Sequence, residues 1–144
     1  MIDKGSQNLR EMIRMLVRSL GILEKGDVCK STITITQCHA IVEIGRRGKV
    51  SLIDLADMMD VDKSTMSRTV NNLVEAGLAL RDVDVNNRRY VIIQLTDAGQ
   101  KEFRSIEESM NGYFKSVFEA IPEEKRSQVL ESLLLLTEAV KSSN

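Results

Sequence analysis

The chain has 144 residues, enough for one domain with an added oligomerisation element and for a core that buries roughly 70% of the unfolded surface. Hydrophobic residues make up 42% and charged residues 28%, with one proline and no tryptophan, a soluble and helix-rich balance. A net charge of -1 excludes a polybasic nucleic-acid binder, two cysteines exclude a disulfide scaffold, and no apolar run nears the ~20 residues of a membrane span.

Leu9, Met12, Ile13, Leu16, Val17, Leu20 and Leu23 recur at helical spacing and predict a first amphipathic helix over residues 6–25. Its arginines, Arg10, Arg14 and Arg18, fall on the wet side. They also break what would be the apolar centre of a secretory signal, and Asp3, Glu11 and Glu24 argue against a transit peptide, so a cytoplasmic protein is expected. "GDVCKSTIT" reads as a loop. Thr36 is the expected N-cap of a second helix carrying Ala40, Ile41 and Ile44, which ends in the turn "GRRGK".

Ser51, with Asp54 three residues on, caps a short third helix whose inner stripe is Leu52, Leu55, Ala56 and Met59. After the tight connection "MDVD", Asp62 caps a fourth helix that ends at Gly77. Met66, Val70, Leu73 and Val74 form its inner side. Its outer side carries Ser64, Ser67, Arg68 and Asn71, with Thr65 on the flank. A merely solvated face favours Glu, Lys and Gln, which form helices better than Ser or Asn.

Short polar groups and one arginine suit entry into a major groove about 12 Å wide, where Arg pairs with guanine and Asn with adenine. Lys63, at the helix N-terminus, favours a phosphate. Next, "LALRDV" and "RRYVIIQL" are β-branched-rich runs around the turn cluster "DVNN", a hairpin with Arg81, Arg88 and Arg89 expected on its projecting turn. Arginines there can reach the minor groove.

Thr96 caps a long helix to about Ala120, with Phe103, Ile106, Met110, Phe114 and Val117 as its stripe. Pro122, Glu123 and Glu124 are expected to open a last helix, whose stripe is Val129, Leu130, Leu133, Leu134, Thr137 and Val140. The order α-α-α-α-β-β-α-α describes a mainly α fold, a winged helix-turn-helix over residues 36–98. It is flanked by helices at 6–25 and 99–141 in one domain, 1–144. The flanking stripes outsize the central unit, so a second copy of the chain is the expected partner. Any anion-binding face must be local: bases outnumber acids eight to seven from Arg46 to Arg89, but acids lead seven to four from Glu107 onward, an asymmetry that allows nucleic-acid binding without demanding it.

These features resemble the multiple-antibiotic-resistance regulators, the MarR family. The resemblance covers nearly the whole chain and is strongest from Ser51 to Gly99, carried by "LADMMDVDKSTMSRTVNNLVEAGL", the wing "DVNNRR" and "VIIQLTDAG". It implies a homodimer built from the terminal helices that binds a near-palindromic operator in double-stranded DNA, usually as a repressor. By matching position it implies that Ser64, Thr65, Ser67, Arg68 and Asn71 read the major groove. In the wing, Arg89 matches the family's minor-groove arginine, and Asn87, beside Arg88, stands where the family usually has an acid. A small-molecule effector is the family default, with no cofactor required.

Cys38 and His39, near Cys29, form a candidate sensor. Three alternatives stand: ordinary packing, thiol chemistry at a cysteine in the first turn of a helix, or zinc held by Cys29, Cys38, His39 and Glu24. A zinc-responsive branch of the family has "TQEH" where this chain has "TQCH", together with histidines on the fifth helix; Glu107, Glu108 and Asn111 occupy that region here. The peroxide-sensing branch keeps its cysteine on the first helix, which has none here. Met58, Met59 and Met66 read as core filler.

No enzyme is expected. His39 is the only histidine, no nucleophile turn is present, and "GRRGKVS" fails as a phosphate loop because Glu43 holds its first glycine position. The competing reading is a winged helix used as a protein-interaction module.

Overall fold

The computed structural model describes residues 3–20 and 33–144, which fall into two compact units, Met1–Glu107 and Glu108–Asn144. In the first unit, helix α1 runs Lys4–Ser19. Asp3 caps it by accepting the Ser6 N–H at 2.8 Å, so it begins two residues before the expected start. The expected continuation over residues 21–25 lies outside the described residues. None of α1 is buried.

Helix α2 spans Ile35–Arg47, and its N-cap is Thr34 rather than Thr36. The correction has a simple cause. Thr34 is followed three residues later by Gln37, and the two exchange side-chain bonds in a full capping box. Thr36 would have found His39 in that position.

A strand that the pattern did not foretell, β1 (Lys49–Ser51), follows Gly48. Helix α3 (Leu52–Met59) starts on the Ser51 cap and buries Leu55 and Ala56, whereas Leu52 and Met59 stay half-buried. Helix α4 (Lys63–Glu75) follows the left-handed residue Asp60 and the expected Asp62 cap. It closes in a Schellman turn: the Gly77 N–H donates to the Val74 carbonyl and the Leu78 N–H to the Leu73 carbonyl. Gly77 has φ +77°, which a glycine adopts without penalty.

Strands β2 (Ala79–Val83) and β3 (Val91–Leu95) pair antiparallel, with Arg81 opposite Ile93. β1 adds to the other side of β3, with Val50 opposite Ile93, so the sheet has three strands in the order β1-β3-β2. Three residues are too few to show a period of two, which is why β1 escaped notice. β3 starts at Val91, leaving Arg88, Arg89 and Tyr90 in the connection.

The core of this unit is Ala40, Ile41 and Ile44 of α2, Leu55 of α3, Met66, Val70 and Leu73 of α4, and Ile93 of β3. Helix α5 (Asp97–Ala120) contributes Ile106. Its start is tied to the end of α4. The Thr96 hydroxyl donates to the Gly77 carbonyl at 2.6 Å and accepts the Gly99 N–H at 3.0 Å. A Cβ at Gly99 would stand 1.9 Å from the Leu78 carbonyl oxygen, so only glycine allows this approach.

In the second unit, α5 continues to Ala120. Pro122 opens a 3-10 turn at Glu123–Lys125 and not the last α-helix, because Lys125 bonds back to the Pro122 carbonyl three residues before it. Helix α6 is then Arg126–Ser143. Arg126 turns back, donating to the carbonyls of Ile121 and Glu119 that end α5, and lies 5.1 Å from the Phe118 ring centre. No residue of α6 is buried. Among the described residues no helix is long and apolar enough to cross a membrane.

Candidate nucleic-acid interface

The fourth helix owes its start to Asp62. That carboxylate accepts the Thr65 N–H at 3.2 Å and the Thr65 hydroxyl. Bonding first to the hydroxyl and then to the N–H holds the Asp62 carboxyl below the usual carboxylate range. A phosphate approaching this helix end therefore meets a carboxylate already seated on the Thr65 amide. The attraction expected of Lys63 must come from its own exposed ammonium rather than from that amide.

Along α4 the buried side is Met66, Thr69, Val70 and Leu73. Thr69 takes a core place not expected of it, and Val74 is only half-buried. The threonine is tolerated there because its hydroxyl donates to the Thr65 carbonyl at 3.0 Å. On the opposite side Ser64, Arg68 and Asn71 are exposed, with Thr65 and Ser67 half-buried at its margin. The short polar residues thus form one accessible surface, as their spacing foretold.

Arg81 corrects the sequence reading. It does not cluster with Arg88 and Arg89 on the projecting turn. It sits in β2, where its guanidinium donates to Asn71 Oδ1 and, at 3.4 Å, to Ser67 Oγ. Strand register is the cause. Arg81 lies on the same strand face as Ala79, which is buried, and opposite the buried Ile93. That is the face that packs on α4.

The turn joining β2 and β3 is built by its own side chains. Asp84 accepts the Asn86 N–H at 2.9 Å, and Asn87 Oδ1 accepts the Arg89 N–H at 3.1 Å. The Asp84 N–H reaches the Tyr90 carbonyl at 2.8 Å, and the Tyr90 N–H reaches the Asn87 carbonyl at 3.0 Å. Asn87 thus ties down the turn by accepting a backbone bond without adding negative charge. Arg88 and Arg89 project from it, both exposed.

The candidate sensor is only partly in view. Glu24 and Cys29 lie outside the described residues. Cys38 is buried at the fourth position of α2, where its N–H already donates to the Thr34 carbonyl, and its sulfur is not a free thiol. With Thr34 as the cap, Cys38 is one residue beyond the amides left free at the start of the helix. His39 is exposed. Among the described residues no three metal-ligating side chains converge.

Residues 33–91 match the model of the MarR family. The chain is 23% identical over 128 residues to the HTH-type transcriptional regulator YfiV of Bacillus subtilis (strain 168), covering 89% of this chain and 80% of that protein. It is 25% identical over 116 residues to the regulator FarR of Neisseria gonorrhoeae, covering 78% and 80%. Streptococcus pneumoniae FabT, solved in complex with DNA, superposes with a TM-score of 0.86 at 20% identity, over 96% of this chain and 99% of that one. The MepR–DNA complex of S. aureus gives 0.78 at 20% identity, over 90% and 96%. The winged helix, the Schellman-ended fourth helix and the family match point one way: over residues 33–91 the chain is similar to the MarR family.

Proposed function

We propose that the chain is a homodimeric transcriptional regulator that binds a near-palindromic operator, acts as a repressor and is released by a small effector. Helix α4 enters the major groove with Ser64, Thr65, Ser67, Arg68 and Asn71. The wing places Arg88 and Arg89 in the minor groove, with Asn87 holding the turn. The observation that carries this reading is the exposed side of α4, made of short polar groups and Arg68 where a helix without a partner would carry Glu and Lys. The reading is supported by the DNA complexes of FabT and MepR, whose folds this chain shares.

The test is binding of the full chain to the DNA upstream of its own gene across a series of salt concentrations. Affinity should fall steeply with salt, as phosphate contacts require. Arg68→Ala should cost roughly tenfold at the best site and relax the preference at one base pair of each half-site. Binding that is absent, or insensitive to Arg68, would favour a winged helix that docks on protein instead. The effector is to be sought as a compound that lowers this affinity; zinc, chelator and peroxide form one arm of that screen.

A further inference from the structure

Arg81 stands apart from every other cation of the candidate interface. Lys63, Arg88 and Arg89 are exposed, and Arg68 makes only a 3.5 Å contact to Thr65 Oγ1 within its own helix. Arg81 is already committed, through the same guanidinium nitrogen, to two side chains of α4, Asn71 Oδ1 and Ser67 Oγ. It joins residues 14 and 10 positions away, so it couples the wing strand to the helix.

The chemistry of this contact has one orientation. Arginine has donors only, so the Asn71 atom facing it must be the amide oxygen and not the amide nitrogen. The nitrogen, on the other branch of the planar amide, is therefore turned away from Arg81. An unrestrained asparagine can recognise adenine with both ends, accepting from N6 and donating to N7. In Asn71 a charge-assisted bond turns the amide oxygen towards Arg81, so the two N–H donors are the end that faces a partner. Donors match acceptors, and guanine presents two in the major groove, O6 and N7. Ser67 is constrained likewise, since its oxygen accepts from Arg81 and its hydroxyl proton is left to donate.

Granting the DNA-binding reading above, we propose that Arg81 is a specificity-positioning residue: through Asn71 Oδ1 and Ser67 Oγ it sets both side chains as donors, so that the base pair facing Asn71 is read as guanine rather than adenine. Arg81 acts through side chains of another element, whereas the contact of Arg68 stays within α4.

The experiment selects sites from a randomised duplex library with full-length wild type, Arg81→Ala, Arg81→Lys, Asn71→Ala and the Arg81→Ala/Asn71→Ala double variant. Affinities are then measured for the winning site and its single-base changes. Wild type should select guanine at one position per half-site, and Arg81→Ala should shift that position about tenfold towards adenine while other positions hold. Arg81→Lys keeps a charged donor able to serve both oxygens and should hold the wild-type preference more closely than Arg81→Ala does. In the Asn71→Ala background, Arg81→Ala should no longer alter that position. In Arg81→Ala, a uniform loss of affinity with an unchanged consensus would reduce Arg81 to a phosphate contact and overturn the proposal. If wild type selects no sequence at all, the DNA-binding reading itself fails, and this proposal with it.

Discussion

Asp62 shows how one side chain serves both stability and the interface. Its carboxylate supplies the N-cap of α4 and orients Thr65, a residue on the margin of the reading side. Its folded pKa is depressed by the Thr65 hydroxyl and then by the Thr65 N–H, so its contribution is complete above the unfolded value, about pH 4, and is lost as pH falls through the folded value. Asp62→Ala should therefore lower the urea midpoint at neutral pH, and the gap from wild type should close as the pH is taken well below about 4. The chain concentration is held constant, because self-association shifts apparent stability. A gap of the same size at both ends of that pH range would show that the ionised cap is not its source. Asn87 does a neutral version of the same task, holding the Arg89 N–H with an amide oxygen.

At the scale of elements, the wing is a short hairpin whose turn is closed by Asp84 and Asn87, with Arg88 and Arg89 as its exposed cations. Its base is secured where Thr96 bonds to Gly77 and where Gly99 passes against Leu78. The hairpin is thus anchored to the C-terminal end of α4, and Arg81 ties it to the middle of that helix. Replacing Arg88 and Arg89 together by Ala should flatten the slope of log affinity on log salt by about one to two. It should also erase a preference for A·T-rich flanks, whose narrow minor groove attracts arginine, without changing the bases selected by α4. A double variant that keeps the wild-type slope would place the wing away from the duplex.

On the scale of the whole molecule, the helices at the two ends of the chain carry apolar residues that the described chain leaves uncovered. Met12, Met15 and Val17 of α1 are 67%, 66% and 55% exposed, and Leu134 and Leu135 of α6 are 61% and 60% exposed. An exposed apolar stripe on a helix is uncommon in a monomer and fits a partner site on each of the two helices. A second copy is the proposed partner, and it would supply the two-fold symmetry that a palindromic operator needs. Sedimentation at micromolar concentration should show a dimer, and Leu130→Glu with Leu134→Glu should yield a monomer whose operator affinity falls at least tenfold, the loss expected when one half-site must bind alone. A wild-type chain that sediments as a monomer would refute the dimer.

Features that depend on neighbours within one or two turns are legible in the residues alone. The Asp62 cap, the Gly77 stop, the helical spacing of Met66, Val70 and Leu73, and the polar side bearing Arg68 and Asn71 all rest on local bonds and a period of 3.6 residues. The resemblance carried by residues 51–99 added the family, and the match at 33–91 agrees with it. Features that depend on pairing across long separations are set by the folded chain. β1 exists because Val50 finds Ile93, 43 residues away. Arg81 belongs to α4 because strand register brings it to Ser67 and Asn71. Arginine looks the same in a sequence on a wing tip or against a helix. Which it is depends on the strand face it occupies, and register, set by the whole sheet, chooses that face.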